Sequence, residues 1–213
     1  MLFLPRAVIK MILQKNKLFG GLIKPRTTAP PNIKSWVSKY EYNTIDNITV
    51  CRTPVKGAFQ KFFNIITLGK YDTSLKGLHY DNLFHLYLYI TIGNDTWKLE
   101  KNDVVTLTKT SKATGEDCID LKSTKIKLGD FMKKGESYQT DFWNYNARTN
   151  NCQNFAVSLL VSNKIIKKNS KTYKFIKQDA EEVFKRNPKY FEDVVVTITD
   201  LGGIFDLIKN GFK

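Results

Sequence analysis

Cys152 is the residue from which the chemistry of this chain can be read. It lies in Asn150-Asn151-Cys152-Gln153-Asn154-Phe155-Ala156-Val157-Ser158-Leu159-Leu160, where a polar loop runs into an apolar pattern. Phe155, Ala156, Leu159 and Leu160 recur at helical spacing and mark one buried face. Asn150 or Asn151 suits the N-cap position, which places Cys152 in the first helical turn. Unpaired backbone N–H groups and the positive end of the helix dipole stabilise a thiolate there. A thiol in that place is a nucleophile at neutral pH. The competing reading is a small buried cysteine that packs like alanine.

A cysteine nucleophile needs a base that holds its proton or pairs with its thiolate. The chain has two histidines, His79 and His85. His85 belongs to the clearest strand, Leu83 to Ile92. Phe84, Leu86, Leu88, Ile90 and Ile92 form its aliphatic face, and Leu83, His85, Tyr87, Tyr89 and Thr91 the other. An imidazole on that mixed face looks into a groove rather than into the core; the alternative is a hydrogen-bonded histidine in a tyrosine-rich patch. His79, in a Gly-containing loop, ranks second.

A third polar group usually orients the imidazole. Gly93-Asn94-Asp95 is a hairpin signal, and Trp97 to Thr108 reads as the returning strand. A turn centred on Asn94 sets His85 opposite residue 102 or 103. In the first register Asn102, Glu100 and Lys98 share the face of His85; in the second, Asp103, Lys101 and Leu99 do. Asn102 or Glu100 is the expected orienter, with a salt-bridged surface carboxylate as the plain alternative for Glu100. A slip of one residue reverses every assignment.

Around these elements the chain reads as follows. Residues 1–40 hold eight Lys and Arg and no acid, interleaved with apolar residues, and close on Ala29-Pro30-Pro31. This segment is expected to be a basic amphipathic arm and linker, able to lie on an anionic membrane surface or to serve as a targeting segment. Residues 41–213 are expected to form the catalytic domain. Ile48 to Arg52 reads as a strand ending at Pro54, Ala58 to Ile66 as a short helix, and Cys118 to Leu128 as a third β segment. Asp130 to Met132 suits a helical turn and residues 135–150 a polar, aromatic loop. After the Cys152 helix comes a lysine-rich loop, then a helix over Ala180 to Lys185 broken by Pro188. Phe191 to Ile204 suits either helix or strand, and a last apolar segment runs to Phe212.

Composition bounds the function. The formal net charge of +14 favours an anionic partner. Three widely spaced cysteines, Cys51, Cys118 and Cys152, with no CxxC, argue against a disulfide framework and a cysteine zinc site, and for a reducing intracellular compartment. No metal or cofactor is expected. No apolar run is long enough to span a membrane.

The order of histidine on a strand, polar orienter on the next strand, then cysteine at a helix start resembles the circularly permuted papain-like arrangement. It looks like the NlpC-type and lecithin:retinol acyltransferase-like thiol enzymes. The latter carry Asn-Cys-Glu-His-Phe at the catalytic cysteine, where this chain reads Asn151-Cys152-Gln153-Asn154-Phe155. Their His-x-Gly-x-Tyr strand corresponds to His85-Leu86-Tyr87-Leu88-Tyr89. Tyr80 to Leu86, with Leu99-Glu100-Lys101-Asn102, is also similar to members encoded by large DNA viruses. The resemblance spans roughly residues 45 to 165. Two positions depart: no second histidine follows on the next strand, and Asn154 stands where the acyltransferases have histidine.

The resemblance implies an α+β fold, a small antiparallel sheet packed on the helix bearing the cysteine. It implies acyl transfer or hydrolysis through a thioester, on a lipid ester or amide or on a peptide amide, with the Cys152 N–H contributing to an oxyanion hole. A location in the cytoplasm, at a membrane periphery or in a virion fits these features. The alternative function is a non-catalytic basic protein that binds a membrane or nucleic acid. Nucleic acid is the less favoured partner, since no recognised binding motif accompanies the charge.

Overall fold

The computed structural model describes residues 26–54, 67, 70–76, 84–102, 104–111, 117–121, 125–146, 149–178, 180–188 and 195. Their elements run α1 (Pro31–Tyr40), β1 (Asn47–Pro54), α2 (Lys70–Leu75), β2 (Phe84–Ile92), β3 (Asp95–Lys101), β4 (Val105–Thr110), β5 (Asp117–Asp120), α3 (Leu128–Tyr138), α4 (Cys152–Ser162), α5 (Lys171–Ile176) and α6 (Ala180–Arg186). The fold is α+β. Its five-stranded antiparallel sheet has the order β4-β3-β2-β1-β5.

Alternation along the strands decides which face meets the helices. Ile48 pairs with Ile90 and Val50 with Leu88, and all four are fully or almost fully buried. They join Leu86, Ile92, Trp97 and Leu99 in one core with Phe131 of α3 and Phe155, Leu159 and Leu160 of α4. Each such side chain contributes roughly 1.5–3 kcal/mol on burial. On the opposite face Cys51 pairs with Tyr87 and Thr49 with Tyr89; Cys51, Tyr87 and Tyr89 form a separate small cluster. Helix α4 lies on β2 and β3, and α3 packs on α4. Gly135 permits that close approach, since a Cβ on it would lie 2.5 Å from Leu159 Cδ2.

The hairpin between β2 and β3 is a two-residue turn, Gly93-Asn94, with Gly93 at φ 58°. A type II′ turn needs a positive φ at that first position, and glycine adopts it without strain. Tyr87 therefore pairs with Glu100 and Ile92 with Asp95. This is the first of the two registers considered above.

Four expectations are corrected. Pro31–Tyr40, read as part of the arm, is a helix whose Ile33 and Trp36 are in the main core, so the folded body begins before residue 40. Its apolar residues sit at helical spacing among the lysines, and Pro31 occupies its first position, where a missing N–H costs nothing. The single return strand from Trp97 to Thr108 is two strands, β3 ending at Lys101 and β4 starting at Val105, with the Asn102 N–H donating to the Val104 carbonyl. The helical turn near Asp130 extends over eleven residues as α3, taking in the start of the expected loop.

The fourth concerns the cysteines. Cys51 and Cys118 are joined in a disulfide across β1 and β5, and among the described residues Cys152 is the free thiol. A separation of 67 residues says little about pairing when the intervening chain returns a strand to the neighbouring edge. With two of the three cysteines bonded, the cysteine content does not point to a reducing compartment. No helix among the described residues is long and apolar enough to cross a membrane. The arm before residue 26, the helix expected at 58–66, His79, Asp103 and, apart from Val195, the segments beyond residue 190 lie outside the described residues.

Candidate active site

Helix α4 begins at Cys152. The Asn151 side chain caps it, accepting the backbone N–H of Gln153 at 2.9 Å and of Asn154 at 3.2 Å. Such a cap contributes about 1 kcal/mol and fixes the first turn. Cys152 is half-buried there, its sulfur hydrogen-bonded to the His85 side chain and approached by the backbone N–H groups of Leu86 and Gln153.

The place of contact follows from where a ladder stops. β3 pairs with β2 only as far as Tyr87–Glu100, whereas β2 continues to Phe84 against β1. The edge of β2 at residues 84–86 is thus free for α4, and the Leu86 N–H is directed at the Cys152 sulfur.

His85 Nε2 meets Glu100 Oε2 at 2.9 Å. The same imidazole hydrogen-bonds the Cys152 side chain. Lys98 Nζ donates to the same Glu100 oxygen at 2.9 Å and stands 4.2 Å above the Tyr87 ring, which stacks on His85 at 6.2 Å between centroids. The side chains of His85 and Glu100 are 26% and 16% exposed.

Electrostatics match this geometry. Burial by itself lowers the His85 pKa, but the hydrogen bonds to Cys152 and Glu100, and their charges, reverse the effect and raise it to about 9. Burial raises the Cys152 thiol, and the His85 hydrogen bond and charge, with the two backbone N–H groups, bring it below its ordinary value. For Glu100, burial is likewise outweighed by His85 and Lys98, which hold the carboxyl below the usual range. All three shifts run in the direction that favours thiolate, imidazolium and carboxylate in series.

A comparison with protein-family models, curated proteins and solved structures finds no match.

The structure brings together Cys152, His85 and Glu100. Asn102 it does not: β3 ends at Lys101, and Asn102 lies in the turn to β4. One residue of the surroundings had a signal in the sequence only as part of the other register. Lys101 is 1% exposed and donates to the Phe142 carbonyl at 2.8 Å and to Asn150 Oδ1 at 2.7 Å. It pins the loop that enters α4. Burial pushes its pKa down to about 7, opposed by the negative charges of Cys152 and Asp141. Among the described residues no three His, Cys, Asp or Glu side chains cluster as a metal-ligand set would.

Proposed function

We propose that this protein is a cysteine-dependent hydrolase or acyltransferase working through a thioester. The observation that carries the reading is the hydrogen-bonded series Cys152–His85–Glu100 at the start of a capped helix. In the first step the Cys152 thiolate attacks a carbonyl carbon and forms the S–C bond. The imidazolium N–H of His85 gives its proton to the leaving oxygen or nitrogen as that bond breaks. In the second step neutral His85 takes a proton from water or another acceptor, which attacks the thioester and releases the acyl group. The thiolate–imidazolium pair is then restored. Glu100 holds the imidazole in orientation and stabilises its charged form.

The Cys152 backbone N–H, one of the unpaired groups of the first turn, is the proposed donor to the developing oxyanion. The arrangement of strand histidine before helix cysteine supports a circularly permuted papain-like fold. The substrate proposed is a lipid ester or amide, with a peptide amide as the other class; the net charge of +14 supports encounter with an anionic membrane surface.

Incubation of the full chain with a p-nitrophenyl ester, followed by intact mass measurement, tests the reading. A burst of nitrophenol and an acyl adduct on the Cys152 peptide are expected, both lost in Cys152→Ala and slowed in His85→Ala. A burst that survives in Cys152→Ala would overturn it. Anionic phospholipid vesicles and a peptide library then separate the two substrate classes.

A further inference from the structure

Beside the site, Gln153 and Gln178 close a pair of hydrogen bonds. Gln153 Nε2 donates to Gln178 Oε1 at 2.9 Å, and the Gln178 backbone N–H donates to Gln153 Oε1 at 2.9 Å. The same Gln178 oxygen accepts the backbone N–H of Phe84 at 2.9 Å. Both glutamines are 3% exposed. A backbone N–H can only donate, so each oxygen has one possible place and neither carboxamide can be turned end for end.

The chain positions give this cluster its meaning. Phe84 immediately precedes His85, and Gln153 immediately follows Cys152. N–H groups two residues apart on a strand point to the same edge. The edge that β3 vacates therefore offers two donors, and each has an acceptor: the Cys152 sulfur for Leu86 and the Gln178 oxygen for Phe84. One carboxamide oxygen thus ties the neighbour of the histidine to the neighbour of the cysteine.

Resting on the thiol-enzyme reading above, we propose that Gln178 is a positioning residue that sets the approach of His85 to Cys152, with Gln153 as its relay. Two buried carboxamides cost free energy unless every polar atom is matched, and apolar side chains of the same shape would fill the space with little loss of stability. What the matched pair adds is fixed geometry. β3 does not pair with β2 from Phe84 to Leu86, and on that edge Gln178 holds the Phe84 N–H beside the Leu86–Cys152 contact. Without it the first turn of α4 and the start of β2 are free to part, and proton sharing between sulfur and imidazole weakens.

Alkylation of Cys152 by iodoacetamide, followed on the full chain from about pH 5 to about pH 9, reads this directly. In Gln178→Met the rate at about pH 6 is expected to fall about tenfold, with the thiol midpoint moving up toward the free value. Gln153→Met breaks the same pair from the other side and moves the profile in the same direction; it carries the test if Gln178→Met does not fold. Asn187→Ala is the control. It removes a buried hydrogen bond to Ser74 Oγ of α2 and another to the Val183 carbonyl within α6. Its thermal midpoint is expected to fall while its alkylation profile stays. Profiles of the glutamine variants that overlay the wild type, or an equal shift in Asn187→Ala, would overturn the proposal. A wild-type thiol that titrates at its ordinary value would instead overturn the thiol-enzyme reading itself.

Discussion

Replacing Glu100 by glutamine isolates one link of the series. The variant keeps the size of the side chain and an oxygen for His85 Nε2, and it removes a unit charge 2.9 Å from that nitrogen. Two opposite charges centred about 4 Å apart interact by about 4 kcal/mol at an effective dielectric of about 20. Lys98 occupies the same carboxylate oxygen, and both side chains keep some solvent contact. Halving the interaction for these two effects leaves about 2 kcal/mol, or ~1.5 pKa units. The sign follows from linkage. His85 is raised from 6.5 to about 9, so its charged form stabilises the fold fully below 6.5, and that contribution is lost as pH rises through about 9. In Glu100→Gln the loss comes ~1.5 units earlier. Imidazole carbon-bound proton shifts, recorded by NMR against pH with His79→Ala to assign the two rings, measure this without any substrate. A His85 that titrates at the same pH in wild type and variant would refute the reasoning, as would a wild-type His85 titrating at its ordinary value.

Three other outcomes are expected. Under denaturing, non-reducing conditions one thiol per chain, Cys152, reacts with a maleimide and three react after reduction; reduction also lowers unfolding stability by roughly 2–4 kcal/mol, checked by urea titration. Lys101 is depressed from 10.5 to about 7, so it opposes folding most below about 7 and least above 10.5. The unfolding free energy of wild type minus that of Lys101→Met should therefore grow as pH rises across that window, and a flat difference would show that Lys101 is not held as the structure places it. Gly135→Ala sets a methyl group against Leu159, which is fully buried, and should destabilise by about 1–3 kcal/mol in thermal unfolding, with the crossing of α3 and α4 displaced.

Much of the frame was legible because its signals are local. Alternation in Phe84 to Ile92 separates the faces of β2: Leu86, Leu88, Ile90 and Ile92 join the main core, and Tyr87 and Tyr89 are buried in a separate cluster on the other face. The Gly93-Asn94-Asp95 signal confines the register to two choices, and the two-residue turn that forms leaves only the first. Asn151 followed by an apolar helical pattern marks the start of α4. Features that depend on distant partners were not legible. The Cys51–Cys118 bond requires that β5 return beside β1, which neither short segment encodes. Gln178 carries no signal at all, for its role exists only where α4 and the end of β2 meet.

The third member of the series shows how such a distant condition selects a residue. Register alone sets Asn102 opposite His85, since 85 and 102 have the same sum as the paired residues 87 and 100. Had the β2–β3 ladder continued, Asn102 would have been the near neighbour. It stops at Glu100 because the chain turns back after Lys101 to pair Val105 with it in β4, and the vacated edge of β2 receives α4. Glu100 is then the last strand residue on the face of His85. It lies diagonally from the imidazole, a separation of roughly 7–8 Å between backbones that long side chains span. Its reach, and a charge that asparagine lacks, bring it to Nε2, while Lys98 at the same oxygen limits its freedom to turn away. Who orients the histidine is thus decided by where pairing ends, and the same ending opens the edge that admits Cys152.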